Sequence, residues 1–181
     1  MGQPHEPAPV LCLAAAFSRH AAALDWARET TEKHWGPVAL ASPCFAFSET
    51  DYYTPTMGAG LLKQFFAFER QIPPDRLPQL KLQTNDWEAA YAKLGRHAEK
   101  RPLNLDPGYL TAAKLVLAST KDHAHRLYLT DRIYAEVTLR FRQGRWEHHE
   151  WTFPDYRRPD YHEFFTACRD LLRQSERGRH V

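Results

Sequence analysis

The sequence predicts a single α+β domain in which a mainly antiparallel sheet is covered by about three helices. Three observations carry that expectation. The first half reads strand, helix, strand, strand, helix, strand, the order of a ferredoxin-like βαββαβ unit. The last third alternates apolar and polar residues in three runs separated by turn dipeptides, which would extend the sheet as a β-meander. An amphipathic run then closes the chain as a helix. With 181 residues, 43% apolar and 25% charged, one core is expected over residues 1–181.

Each element follows from its residues. Residues 1–9 hold Pro4, Pro7 and Pro9 and read as a flexible arm. Val10 to Phe17 is apolar without alternation, as a central strand buried on both faces should be. From His20 to His34, Ala22, Ala23, Trp26, Ala27 and Thr30 recur at helical spacing, and Gly36-Pro37 ends the segment. Val38 to Phe47 reads as an irregular strand, because Pro43 cannot donate to a ladder. Ser48 to Gly60 has loop composition, and Leu61 to Ile72 reads as strand, with helix as the alternative. Pro73-Pro74-Asp75 opens a helix to about Leu94, with Leu80, Thr84, Trp87, Tyr91 and Leu94 on its inner stripe and Gly95 as its stop.

Pro102 to Leu105 reads as a short strand entering a turn at Asp106-Pro107-Gly108. Thr111 to Ser119 fits strand or helix. His125 to Leu129, Ile133 to Phe141 and Arg145 to Thr152 then form the meander, with turns at Thr130-Asp131 and Gln143-Gly144. Asp160 and Glu163 form an acidic capping box for a closing helix to about Arg173, burying Phe164, Phe165, Cys168, Leu171 and Leu172. Residues 174–181 read as a frayed basic tail.

Several function classes are disfavoured. A net charge of +2 makes no electrostatic case for nucleic acid. No stretch approaches the length of a membrane span, and the start lacks the basic region of a signal peptide. Cys12, Cys44 and Cys168 leave one thiol over in any disulfide scheme and lie far apart, so a reducing cytoplasm is expected. Gly58-Ala59-Gly60-Leu61-Leu62-Lys63 lacks the G-x-x-x-x-G-K-[ST] spacing that cradles phosphates. Thr120-Lys121-Asp122-His123 misses the guanine-reading [NT]-K-x-D pattern, its acid falling one residue early. No G-x-S-x-G or H-E-x-x-H run occurs. Cofactor and oligomeric state leave no signal.

The chemistry concentrates between Asn104 and Leu129. Asn104 and Asp106, two residues apart, share a face at a strand end, where they can orient a ligand or simply serve a turn. Lys114, in an apolar run, either snorkels or pairs with an acid such as Asp106. Lys121 and Arg126, beside the Ser119 and Thr120 hydroxyls, suit a phosphate or carboxylate, and His123 or His125 would transfer a proton. The expected ligand is thus a small anion, phosphorylated or carboxylated, or a nucleotide. One alternative is a metal-dependent hydrolase in which His123 and His125 take one ion with Asp106 or Glu136. Another is a non-catalytic module that binds a partner through Tyr52, Tyr53 and the aromatic residues from Trp151 to Tyr161.

Five segments carry a family resemblance: N-L-D-P-G-Y-L-T from Asn104, K-L-V-L-A-S-T-K-D from Lys114, H-R-L-Y-L from His125, I-Y-A-E-V-T-L-R from Ile133 and W-T-F-P-D-Y-R from Trp151. T-D-Y-Y from Thr50, F-E-R from Phe68 and K-L-Q-T-N from Lys81 add to it. Over nearly its whole length the chain resembles an uncharacterised prokaryotic family, domain of unknown function 4416. The resemblance implies a stand-alone cytoplasmic domain. It also brings the label "GTP-binding protein" that some members carry, and no catalytic residues.

Overall fold

The computed structural model describes residues 2–178. Its centre is strand β1 (Val10–Ser18), buried at all nine positions. Cys12, Ala14 and Ala16 share one core with Ala23, Leu24 and Ala27 of helix α1 (Ala21–Trp35) and Leu80 and Tyr91 of helix α3 (Leu77–Lys93). Leu11, Leu13 and Ala15 belong to a second core with Phe164, Phe165, Cys168 and Leu172 of helix α4 (Pro159–Gly178). Alternation along one strand therefore builds two cores, one on each face of the sheet. This is why the run is apolar throughout.

Strand β4 (Leu61–Ile72) lies beside β1 and splits its residues in the same way, Phe65 and Ala67 on the α4 side, Phe66 and Phe68 on the other. Strands β2 (Val38–Ala41) and β3 (Phe45–Phe47) both pair with β4. Ser42 bridges the break near Pro43, its N–H donating to Phe65 O while its Oγ accepts from Phe65 N–H. Strand β5 (Asn104–Leu110) takes the other side of β1. The order β2-β4-β1-β5 is the ferredoxin-like arrangement, and all its pairs are antiparallel. Strands β6 (Lys114–Ser119), β8 (Ile133–Arg142) and β7 (Leu127–Thr130) continue the same sheet.

Several expectations need correction. Asp106-Pro107-Gly108 is not a turn but the middle of β5, aligned with Ala15, Ala14 and Leu13 of β1. The strand tolerates Pro107 because pairing with β6 begins only at Gly108, so no bond to β6 is lost there. The chain reverses instead after Thr111, whose Oγ1 accepts from the N–H groups of Ala113 and Lys114. Strand β9 (Arg145–His148) completes no simple meander. Ala135 pairs with both Ala118 and Leu127, and Leu139 with both Leu115 and His148, so β7 and β9 lie end to end on one edge of β8 and β6 takes the other. The Gln143-Gly144 turn falls as expected, whereas the first turn is Asp131-Arg132, one residue later than expected because Thr130 still pairs with Ile133; all four turn residues have positive φ.

The loop after β3 holds one short helix, α2 (Thr54–Met57). Leu94 is 48% exposed and falls outside the buried stripe, because the helix has ended at Lys93. Helix α4 starts at Pro159, so Asp160 lies in its first turn and does not cap it; its carboxylate instead takes Arg158 and the Tyr161 N–H. That helix continues past Arg173 to Gly178, and residues 179–181 of the expected tail lie outside the described residues.

Candidate functional site

Strands β5 and β6 pair over only three positions, Gly108 to Leu110. Beyond that ladder lies a cavity of about 500 Å³, lined by Asn104 and Asp106 of β5 and by Leu117, Ala118 and Ser119 of β6. The loop 120–126, the loop around Tyr52 and the segment 153–156 add to its wall. Asn104, Asp106, Lys121, His123, Arg126 and Glu136 all line this one space. His125 does not, although it adjoins the wall through Glu136.

Asp106 anchors a polar network on the α3 side. Lys81 Nζ donates to Asp106 Oδ1 and to Leu105 O, both at 2.9 Å, and Asn104 Nδ2 donates to Asp106 Oδ2 at 2.8 Å. Arg101 donates to Asn104 Oδ1 and, at 2.8 Å, to Glu88 Oε2. Burial opposes charge on Asp106, but the Lys81 ammonium, with Lys63 and Arg101 behind it, outweighs burial and holds the carboxyl below its ordinary value. At Glu88 burial prevails over Lys81 and Arg101, and its pKa is raised. Lys114, by contrast, is exposed and aligned with Arg140, so the lysine that pairs with Asp106 is Lys81.

A second network fixes the loop 120–126. Arg126 Nε donates to Glu136 Oε2 at 2.8 Å, while Nη1 donates to Ser119 Oγ at 2.6 Å and Lys121 O at 3.1 Å. His125 Nε2 meets the same Glu136 oxygen at 3.1 Å, and its ring stacks on Trp151 at 5.5 Å. His125 is thereby drawn to Glu136 and not to the cavity. His123 lines the cavity, its ring 5.8 Å from that of His125, and makes no side-chain hydrogen bond among the described residues. Lys121 Nζ donates to Tyr52 Oη at 2.8 Å and lies 4.3 Å from the ring centroid. That hydrogen bond lowers the pKa of the Tyr52 phenol.

Sequence reasoning missed the lysines beneath the cavity. Lys63 pairs with Asp155 at 2.6 Å, its ammonium 4.3 Å from the Tyr156 ring and 5.1 Å from that of Phe47. Lys81 lies on the buried stripe of α3, with Leu77 and Thr84. A lysine on an otherwise apolar strand or helix face was the available signal, since such a charge is buried only with a partner.

The alternatives fare differently. Among the described residues no group of three or more His, Cys, Asp or Glu is placed to hold a metal ion, and Asp106 is occupied by Lys81. Of the aromatic patch, Tyr156 and Tyr161 are buried, while Tyr52 and Phe153 are exposed. No helix among the described residues is long and apolar enough to cross a membrane.

An α+β sheet protein with a cavity at the divergence of two strands is the class these features define. The chain belongs to the family described as Domain of unknown function (DUF4416), whose sequence pattern it matches over residues 8–171. No curated protein and no solved structure shows significant similarity to it.

Proposed function

We propose that the cavity binds a small phosphorylated or carboxylated molecule in the cytoplasm. One observation carries this reading. Of the cations in the wall, Lys63, Lys81, Arg101 and Arg126 each hold a carboxylate, whereas Lys121 has only the Tyr52 hydroxyl among the described residues. A cation left without a counter-ion at the wall of a cavity favours an anionic occupant. Lys121 takes the acidic group, with Arg126 beside it. Asn104 and Asp106 orient the rest of the ligand. If a proton is transferred, His123 is the group that faces the ligand, and His125 acts only by stacking and by its bond to Glu136.

Titration calorimetry with orthophosphate, sugar phosphates, nucleotides and dicarboxylates tests the reading. Binding by at least one of these should weaken about tenfold or more in Lys121→Ala, the value of one charge-assisted hydrogen bond. No binding across the panel, or equal affinity in Lys121→Ala, sinks it.

A further inference from the structure

We infer that the occupant of this cavity is an aromatic acid, a planar unsaturated ring bearing a single carboxylate or phosphate group. The inference rests on the anion reading above and specifies the ligand's body. Charge comes first. Each lining cation except Lys121 is matched by a carboxylate among the described residues, so the site has room for one acidic group and no more. A second acidic group would find no lysine or arginine of the wall left without a carboxylate among the described residues.

The wall itself is mostly apolar. A cavity of about 500 Å³ is far larger than an inorganic ion, and its carbon surface gains nothing from a hydrated one. Rings also occur where they are costly. Tyr52 is 64% exposed and Phe153 is 45% exposed, and both line the cavity. Each carries a lining cation over its face, Lys121 Nζ at 4.3 Å from Tyr52 and Arg126 Cζ at 5.9 Å from Phe153. Charge and π surface are therefore presented together. A ligand that joins a flat ring to an acid satisfies both at once, because the ring covers exposed aromatic surface while the acid reaches Lys121.

Calorimetry on the full chain with five probes separates the two parts: 1-naphthyl phosphate, 1-naphthoate, 1-naphthol, orthophosphate and acetate. At least one aromatic acid should bind about tenfold tighter than both 1-naphthol and its ring-free counterpart, orthophosphate or acetate. Lys121→Ala should erase the advantage over 1-naphthol, and Phe153→Ala should cut the advantage over the ring-free ion several-fold. If orthophosphate or acetate binds as tightly as the aromatic acids and Lys121→Ala weakens it, the ring inference is overturned while anion binding stands. If Lys121→Ala changes nothing for any probe, both are overturned.

Discussion

Lys63 Nζ stands 2.6 Å from Asp155 Oδ2 in the wall of the cavity, with side-chain exposures of 4% and 5%. Two charges this deeply buried are held by each other. Asp155→Asn should destabilise the protein by about 3–5 kcal/mol, because an uncompensated ammonium remains among aromatic rings. The double replacement Lys63→Met with Asp155→Leu should recover most of that loss. Urea unfolding of the three proteins checks both statements, and a double variant no more stable than Asp155→Asn would refute the assignment.

Glu136 gathers Arg126, His125 and Thr138, so it governs the loop that carries Lys121 and His123. Replacing it by Gln should cost about 3 kcal/mol of stability through the stranded Arg126 guanidinium. Amide exchange in residues 120–125 should accelerate more than exchange in β1. Uniform acceleration across the chain would show that the loop does not depend on this bond.

Asp106 gives an acid-side prediction. A carboxyl depressed in the folded state contributes stability that is fully present above its unfolded pKa, about 3.9, and is lost as pH falls through the folded value. The stability difference between wild type and Asp106→Asn should therefore shrink below about pH 4. Glu88 works with the opposite sign, since a raised pKa contributes stability at low pH that fades as pH rises. A pH-independent difference for Asp106→Asn would contradict the pairing with Lys81.

Gly108 is the tight point between β5 and β6. A Cβ there would lie 2.6 Å from Val116 O and 2.7 Å from Leu117 Cδ2. Backbone cannot yield as a flexible side chain does. Gly108→Ala should lower stability by about 1–3 kcal/mol and shift Leu117, which lines the cavity. Gly60→Ala offers a contrast: its Cβ would meet nothing within 4 Å, so only its positive φ, +72°, would cost. Equal losses at both sites would argue against steric contact as the cause at Gly108.

Much of the fold was legible because burial leaves a mark in residue order. The unbroken apolar run of β1 announced a strand covered on both faces, and Gln143-Gly144 announced its hairpin. Asp106-Pro107-Gly108 misled because local turn chemistry gave way to the ladder with β1, which sequence does not display. The site was half legible. Asn104, Asp106, Lys121, His123, Arg126 and Glu136 could be named as reactive groups, and they do meet. Which acid each base would find could not be read, because Lys81 and Asp106 lie on different elements 25 residues apart. Periodicity encodes which face a residue occupies, and only tertiary packing decides what it touches there.

The two contacts that close the cavity span long stretches of chain, 92 residues from Lys63 to Asp155 and 69 from Tyr52 to Lys121. During synthesis the ferredoxin-like half can be complete while Lys63 still lacks its counter-ion. Such distant contacts form only after their loop-closure cost has been met. A nascent or truncated chain that ends before Asp155 would hold both Tyr52 and Lys121 but would leave Lys63 without its counter-ion. The charge on Lys63 is therefore balanced only after residue 155 has been made.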